Sequence, residues 1–423
     1  MSINIKAGSE ALLAAQFVDQ DRLWDRMMSM ADIGSLPNGG VNRPALSSSD
    51  IEARQRLLSW AGDFGFETKL DNIANLFIRL PGSENNAPPV TTGSHLDTQP
   101  RGGKFDGAYG VVGGFECLEA IYRSGIKIRR PIEVVAWTNE EGGRYQPGVM
   151  GSSIYVEELR LEDQLNKKDA DGIRLEDALK KTLDSTPLLS RRDFNSPMSA
   201  YLEAHIEQGP ILEGLNKTIG VVSGIQGLCW FEVEIFGEEA HAGTTPLNKR
   251  KDALQVAISI IAKLQSSILS YGDSTRFTVG RFICEPGSPS TIPGRVSFTI
   301  DFRHPEKSVI EEISNVITTV CSNHANDCKV TVDPLIFNMP VDFDPRVINC
   351  VESAASALNH EYNLMPSGAG HDAGYIAKCY PAGMIFVPCA GGVSHNEAES
   401  ASASDLAAGI ETLTVCLVEL ANS

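Results

Sequence analysis

Residues 88–141 decide the fold. PPVTTGSHLDT (88–98) and IEVVAWTNEE (132–141) are β-rich runs that each end in polar residues, and between them GAYGVVGGFECLEAIYRSGI (107–126) reads as a helix packed through small residues. This β-helix-β order predicts a mixed α/β sheet. Functional side chains then belong at its strand ends, where α/β sheets carry their sites. Upstream, DIEARQRLLSWAGDFG (50–65) has helical periodicity, with Ser49 or Asp50 as cap and Ile51, Leu57, Leu58 and Trp60 toward a core. Downstream, from about Asn216, the character changes. TIGVVSGIQGLCWFEVEIFG (218–237) reads as a pair of strands, DALQVAISIIAKLQSSILSYG (252–272) as a helix, and TRFTVGRFICE (275–285) with GRVSFTIDFRH (294–304) as two more strands. The α/β pattern resumes with a helix at 346–360, the glycine-rich PSGAGHDAG (366–374), a strand at 382–390 and a closing helix from Ala403. The reading is an α/β domain of residues 1–215 and 335–423, interrupted by a smaller α+β insert at 216–334. No internal repeat or low-complexity segment breaks this layout.

With 423 residues the chain is long enough for two domains, and 42% hydrophobic with 21% charged residues place it among globular proteins. A formal charge of −18 argues against nucleic acid and anionic membrane surfaces, which require a basic footprint. No stretch reads as a secretory signal or as 18 consecutive apolar residues, so no membrane partner is expected. Nine singly scattered cysteines suit reduced core thiols and a cytoplasmic location.

The chain has only 8 histidines, and several stand beside carboxylates. A strand histidine is by itself more often a hydrogen-bonded core residue. His95, however, is followed one strand repeat later by Asp97, which shares its face and can hold the second imidazole nitrogen. Asp106 lies in the glycine-rich loop KFDGAYG (104–110), where an Asx turn is the simpler reading. Glu140 and Glu141 end a strand: a solvated edge, or one metal ligand and one general base pointing opposite ways. YLEAHIEQGP (201–210) sets His205 near Glu207 and Gln208, and GGVSHNEAES (391–400) puts His395 in a glycine-rich turn. Together these suit a pair of divalent ions bridged by one carboxylate. No cysteine lies in these motifs, which speaks against a closed structural zinc site.

These motifs, with TNEEGGRYQPGVMGS (138–152), HIEQGPILE (205–213), HAGTTPLNKRKDA (241–253), IPGRVSFTIDFRH (292–304) and GAGHDA (368–373), occur in the order found in the amidase/hydantoinase/carbamoylase branch of the di-metal aminoacylase and carboxypeptidase superfamily. The chain resembles that branch over nearly its whole length. The resemblance implies an aminopeptidase-like catalytic domain with an inserted lid that also forms a homodimer interface. It implies His95, Asp106, Glu141, His205 and His395 as ligands of two divalent ions, with Asp106 bridging, Glu140 as general base and Asp97 as partner of His95. Zinc, manganese, cobalt and nickel all suit such ligands. His241 is implied as donor to the scissile carbonyl oxygen, and Arg303 suits the carboxylate of a small-molecule substrate. Gln208 is expected to orient the ureido group, with His371 and Asp372 in support. Ser290 stands where the branch usually has Asn, and Ala74 where relatives tend to have Gly. The implied reaction is hydrolysis of an N-carbamoyl-L-amino acid to amino acid, carbon dioxide and ammonia. Allantoate amidohydrolase, β-ureidopropionase and aminoacylase or dipeptidase activities are the rivals, and a catalytically silent metal-binding protein is the rival from another class.

Overall fold

The computed structural model describes residues 8–186 and 189–423. In chain order its strands are β1 (Glu67–Leu70), β2 (Leu76–Leu80), β3 (Val90–His95), β4 (Ile132–Trp137), β5 (Ser190–Arg191), β6 (Ala200–Ile206), β7 (Ile219–Ile225), β8 (Gly227–Phe236), β9 (Ala240–His241), β10 (Arg276–Glu285), β11 (Thr291–Ile292), β12 (Arg295–His304), β13 (Lys329–Asn338), β14 (Val341–Asp342), β15 (Tyr362–Ser367) and β16 (Ala382–Val387). The chain forms two compact units, one built from residues up to Gly224 together with Asp342–Ser423, the other from Ile225–Val341.

The first unit holds a mixed sheet, in the order β14-β7-β16-β6-β3-β4-β2-β1-β5 with β15 beside β7. Its centre is parallel: β16 with β6, β6 with β3 and β3 with β4. Every residue of β3, β4, β6 and β16 is buried. Such strands read as apolar runs because helices cover both faces of a parallel sheet. Helix Ala108–Ser124 is one of these covers, buried from Ala108 through Ile121. Its small residues permit the close approach: a methyl on Gly110 would lie 2.5 Å from the Ala204 carbonyl oxygen on β6. The helix expected at 50–65 spans Ser48–Phe64 and is capped by Ser47, whose hydroxyl accepts from the Asp50 amide. Asp50 itself is buried and serves the interior.

The second unit is a four-stranded antiparallel sheet, β10-β12-β8-β13, with β9 and β11 pairing separately. Alternation along β8 sends Cys229, Phe231, Val233 and Ile235 inward, against helices Ala253–Ile268 and Lys307–Asn323. Each fully buried Phe or Ile contributes roughly 1.5–3 kcal/mol.

Two expectations change. The insert runs over 225–341, not 216–334, because β7 pairs with β16 and stays in the large sheet. The two strands expected at 218–237 therefore enter different sheets. Segment Ala253–Tyr271 is long and apolar enough to cross a membrane by length and composition. One face of it, Val256, Ile260, Leu264 and Ile268, is buried in the second unit's core, while Ile258 and Leu269 are exposed.

Candidate metal centre

The parallel strands β3, β4, β6 and β16 all point their carboxyl ends at one place. His95 is the last residue of β3, His205 the penultimate residue of β6, Glu140 and Glu141 follow β4, and His395 lies in the loop after β16. Asp106 arrives on the loop that begins helix Ala108–Ser124. That loop has no room for a side chain: Gly107 has φ +63°, and a methyl there would stand 2.2 Å from the His95 ring.

Asp106 is the hub. Its Oδ1 is 3.1 Å from His205 Nε2 and 3.7 Å from His95 Nε2, while its Oδ2 is 3.3 Å from His395 Nε2. Glu141 Oε2 is also 3.3 Å from His395 Nε2. Two donor groups result, His95–Asp106–His205 and Asp106–Glu141–His395, and Asp106 belongs to both. The imidazoles are oriented for coordination. His95 Nδ1 donates to the Asp97 carbonyl and His205 Nδ1 to the Ile206 carbonyl, both at 2.8 Å, so each Nε2 lone pair faces inward. The Gly107 amide donates to His205 Nε2 at 3.1 Å, consistent with that tautomer.

Charge is out of balance without a cation. Burial works to raise the Asp106 carboxyl, but hydrogen bonds from His205 and His395 hold it well below the usual range. Burial pushes Glu141 up to about 8, with Asp106 adding to it. Glu140 is raised well above the ordinary value by burial, then by Asp372, Glu141 and Asp97. Burial alone would lower His205, yet the Asp106 hydrogen bond lifts it to about 9; the same carboxylate lifts His395 to about 9. Burial lowers His95 to about 4. The negative field that raises His205 and His395 is the one a divalent ion at their Nε2 atoms would meet. Paired imidazoles and carboxylates with half-exposed His395 at the edge fit such an ion with an open position.

Several predicted residues do something other than expected. The atom that orients His95 is the Asp97 carbonyl; the Asp97 carboxylate, 3.9 Å away, instead accepts from the Glu140 and Glu141 amides at 3.2 Å each. Strand alternation does not separate Glu140 from Glu141, because β4 ends at Trp137 and Asn139, at φ +57°, turns the chain first. Glu140 Oε2 comes within 3.5 Å of His95 Nε2. Gln208 donates its amide to Asp106 Oδ2 at 2.9 Å and to Ser394 Oγ at 3.1 Å, so it holds the hub carboxylate. His371 is 4% exposed, with its ring edge-on to His205 and Nε2 3.0 Å from Ser367 Oγ, which leaves it no substrate-facing surface in the first unit. Asp372 Oδ1 accepts from Ser152 at 2.5 Å, and its buried Oδ2 has no hydrogen-bond partner.

His241, Ser290 and Arg303 belong to the second unit. His241 Nδ1 accepts from the Gly243 and Thr244 amides at 3.0 and 3.2 Å, so its Nε2 carries the proton and points a donor outward. The Ser290 carbonyl accepts from Ala242 at 2.9 Å, which ties Ser290 to the His241 turn. Arg303 forms a two-pronged pair with Asp301, at 3.1 and 3.0 Å.

Three residues went unread in the sequence. Glu399 accepts from the Phe105 and Asp106 amides and from Ser394, clamping the Asp106 loop. Gln99 donates to Glu141 Oε2 at 2.8 Å. Arg43, 1% exposed, donates to the carbonyls of Leu96, Met30 and Ile33 at 2.6, 2.9 and 2.9 Å. Glu399 lies within the quoted GGVSHNEAE motif, which was the available signal; Arg43 had none, because its partners are main-chain atoms.

This fold and site define a hydrolase. Residues 91–419 match the model of peptidase family M20/M25/M40, and the chain belongs to that family, whose enzymes are metal-dependent. It is 39% identical to an N-carbamoyl-L-amino-acid amidohydrolase of Rhizobium meliloti, over 96% of this chain and 97% of that one. It is 33% identical to an allantoate amidohydrolase of Bacillus subtilis, over 95% and 98%. Among solved structures, a hydantoinase/carbamoylase family amidase from Burkholderia multivorans matches with TM-score 0.91 and 40% identity, over 96% and 98%.

Proposed function

We propose that this protein hydrolyses the ureido C–N bond of an N-carbamoyl-L-amino acid, consuming one water and releasing the amino acid, carbon dioxide and ammonia. The observation that carries the reading is Asp106 shared by two donor groups, with the uncommitted carboxyl of Glu140 beside them. His95, Asp106 and His205 would hold one divalent ion, and Asp106, Glu141 and His395 a second, supplying positive charge that acidifies water and polarises a carbonyl oxygen. Zinc, manganese, cobalt or nickel suits these donors.

Glu140 takes the proton of the attacking water and passes it to the departing nitrogen. Asp97 keeps that base in place through the two amides it accepts from. Gln208 and Glu399 keep Asp106 in place. The second unit acts as a lid: His241 offers Nε2–H to the oxygen that gains negative charge, and Arg303, with Ser290 nearby in sequence, grips the substrate carboxylate. Homodimeric assembly belongs to the same reading, supported by apolar Leu335 and Phe337 exposed on edge strand β13. A reducing, cytoplasmic setting is supported by nine free thiols.

Allantoate is the second reading, favoured by the Bacillus subtilis relative. Ammonia release from the metal-loaded protein with N-carbamoyl-L-amino acids, N-carbamoyl-β-alanine and allantoate, and free amino acid release from N-acyl amino acids, measured in parallel, separate these. Turnover of an N-carbamoyl-L-amino acid supports the proposal. Turnover confined to allantoate or to acyl substrates replaces it.

A further inference from the structure

A cavity of about 520 Å³ opens in the first unit among β1, β2, the 85–89 loop and residues 191–197. That volume suits a small-molecule ligand. It shares no residue with the metal centre and lies at the other end of the same strands. Pro88 and Pro89 in its wall lead into β3, and Glu133 is the second residue of β4. The donor cluster begins at the far ends of those strands, roughly 15–20 Å away at ~3.3 Å per residue.

The wall is basic in an acidic protein. Lys69, Arg79, Arg191 and Arg192 face Glu67, Glu133 and Asp193 there, whereas the whole chain has 36 basic to 54 acidic residues. Four cations against three acids, exposed Asp193 among them, leave one positive charge in excess. Glu133 is buried, and its two oxygens are both taken, Oε1 by Arg79 at 2.8 Å and Oε2 by Arg192 at 2.5 Å. Two guanidinium groups thus share one carboxylate. Both are immobile: Arg79 also donates to the Asn85 carbonyl, and Arg192 to the Tyr155 hydroxyl while lying 4.3 Å over the Phe77 ring. Arg191 is exposed and, among the described residues, has no acidic side chain within ion-pair distance. Lys69 pairs with Glu67 at 2.8 Å, but that pair is solvent-exposed and weak enough to exchange.

We propose that this cavity binds a small oxyanion, a phosphate or a carboxylate, with Arg191 and Lys69 as its mobile donors. The Arg79–Glu133–Arg192 cluster supplies a fixed net positive charge behind them. Guanidinium and ammonium groups together satisfy several acceptor oxygens at once, which is the chemistry both anions share.

Calorimetric titration of the metal-loaded full chain with inorganic phosphate and, separately, with succinate tests this, beside the Arg191→Ala and Lys69→Ala variants. Saturable binding that weakens roughly tenfold in each variant supports the site, since one lost charged contact is worth about that much. Ammonia release in anion-free buffer stays unchanged, because neither side chain touches the metal centre. Binding of phosphate alone, of succinate alone or of both identifies which geometry the site accepts. Heat that is absent, or affinity equal in all three proteins, overturns the proposal; equal affinity assigns the anion to the metal centre.

Discussion

Glu140 combines the three properties a general base of this chemistry needs. It lies beside the donor cluster, its carboxylate is not one of the two donor groups, and burial with nearby acids raises its pKa well above the ordinary glutamate value. The sign follows: a base works deprotonated, so turnover climbs as pH rises through that raised pKa and is lost on the acid side. A pH profile of ammonia release is expected to fall on the acid side as Glu140 takes up a proton. In Glu140→Gln, turnover should fall on the order of 10²–10⁴-fold, with bound metal unchanged by elemental analysis; retention of full turnover removes Glu140 from the mechanism. Arg43 acts at the same scale but through stability. Arg43→Met leaves the buried Leu96 and Ile33 carbonyls without that donor, while the Met30 carbonyl keeps the Ile33 amide, for a loss of about 2 kcal/mol or more in urea unfolding. Ala74 illustrates how little a residue letter can say. It adopts φ +66°, a conformation that favours glycine, and is held there by its N–H, which donates to the Asp71 carbonyl, and by Arg54, which donates to the Ala74 carbonyl.

At the scale of elements, loops do the positioning and strands supply the anchor points. The Asp106 loop is clamped from three sides, by Glu399, Gln208 and the close passage of Gly107 over His95. Gly107→Ala is expected to displace His95 or Asp106, since a methyl at 2.2 Å cannot be accommodated and φ +63° is strained for alanine. Metal affinity by equilibrium dialysis should fall, while far-ultraviolet circular dichroism stays native; unchanged affinity would refute this account of the loop. The central strands were legible because apolar runs ending in His, Asp or Glu are rare outside a site. The turn after β4 went unread although Asn139 is a residue type that tolerates positive φ, because the apolar run leads straight into the paired glutamates with no glycine or proline to mark a break.

For the whole molecule, the second unit is an insertion between β7 and β14, which are neighbours in the large sheet. Adjacent strands lie about 4.8 Å apart, so a short glycine linker replacing residues 226–340 can rejoin them. The shortened protein is expected to bind metal as the full chain does and, if His241 is the oxyanion donor as proposed, to lose turnover by about 10²-fold or more. Equal activity would show that the second unit is dispensable to the chemistry. Chelation is expected to lower the melting temperature of the full chain, because ions that bind only the folded state stabilise it by mass action.

Alone, the order of residues determined the βαβ beginning of the main sheet, the presence of an inserted second unit and the identity of the clustered His and acidic residues, since periodicity and motif order are local properties. Tertiary structure decided what each group does. It made the Asp97 carbonyl, not the carboxylate, the partner of His95, turned Gln208 toward Asp106, buried His371 behind His205, and kept β7 in the large sheet. The reason is common to all four: a side chain's partner is set by which main-chain and neighbouring atoms the fold brings within about 3 Å, and that distance is not written in any one segment of the chain.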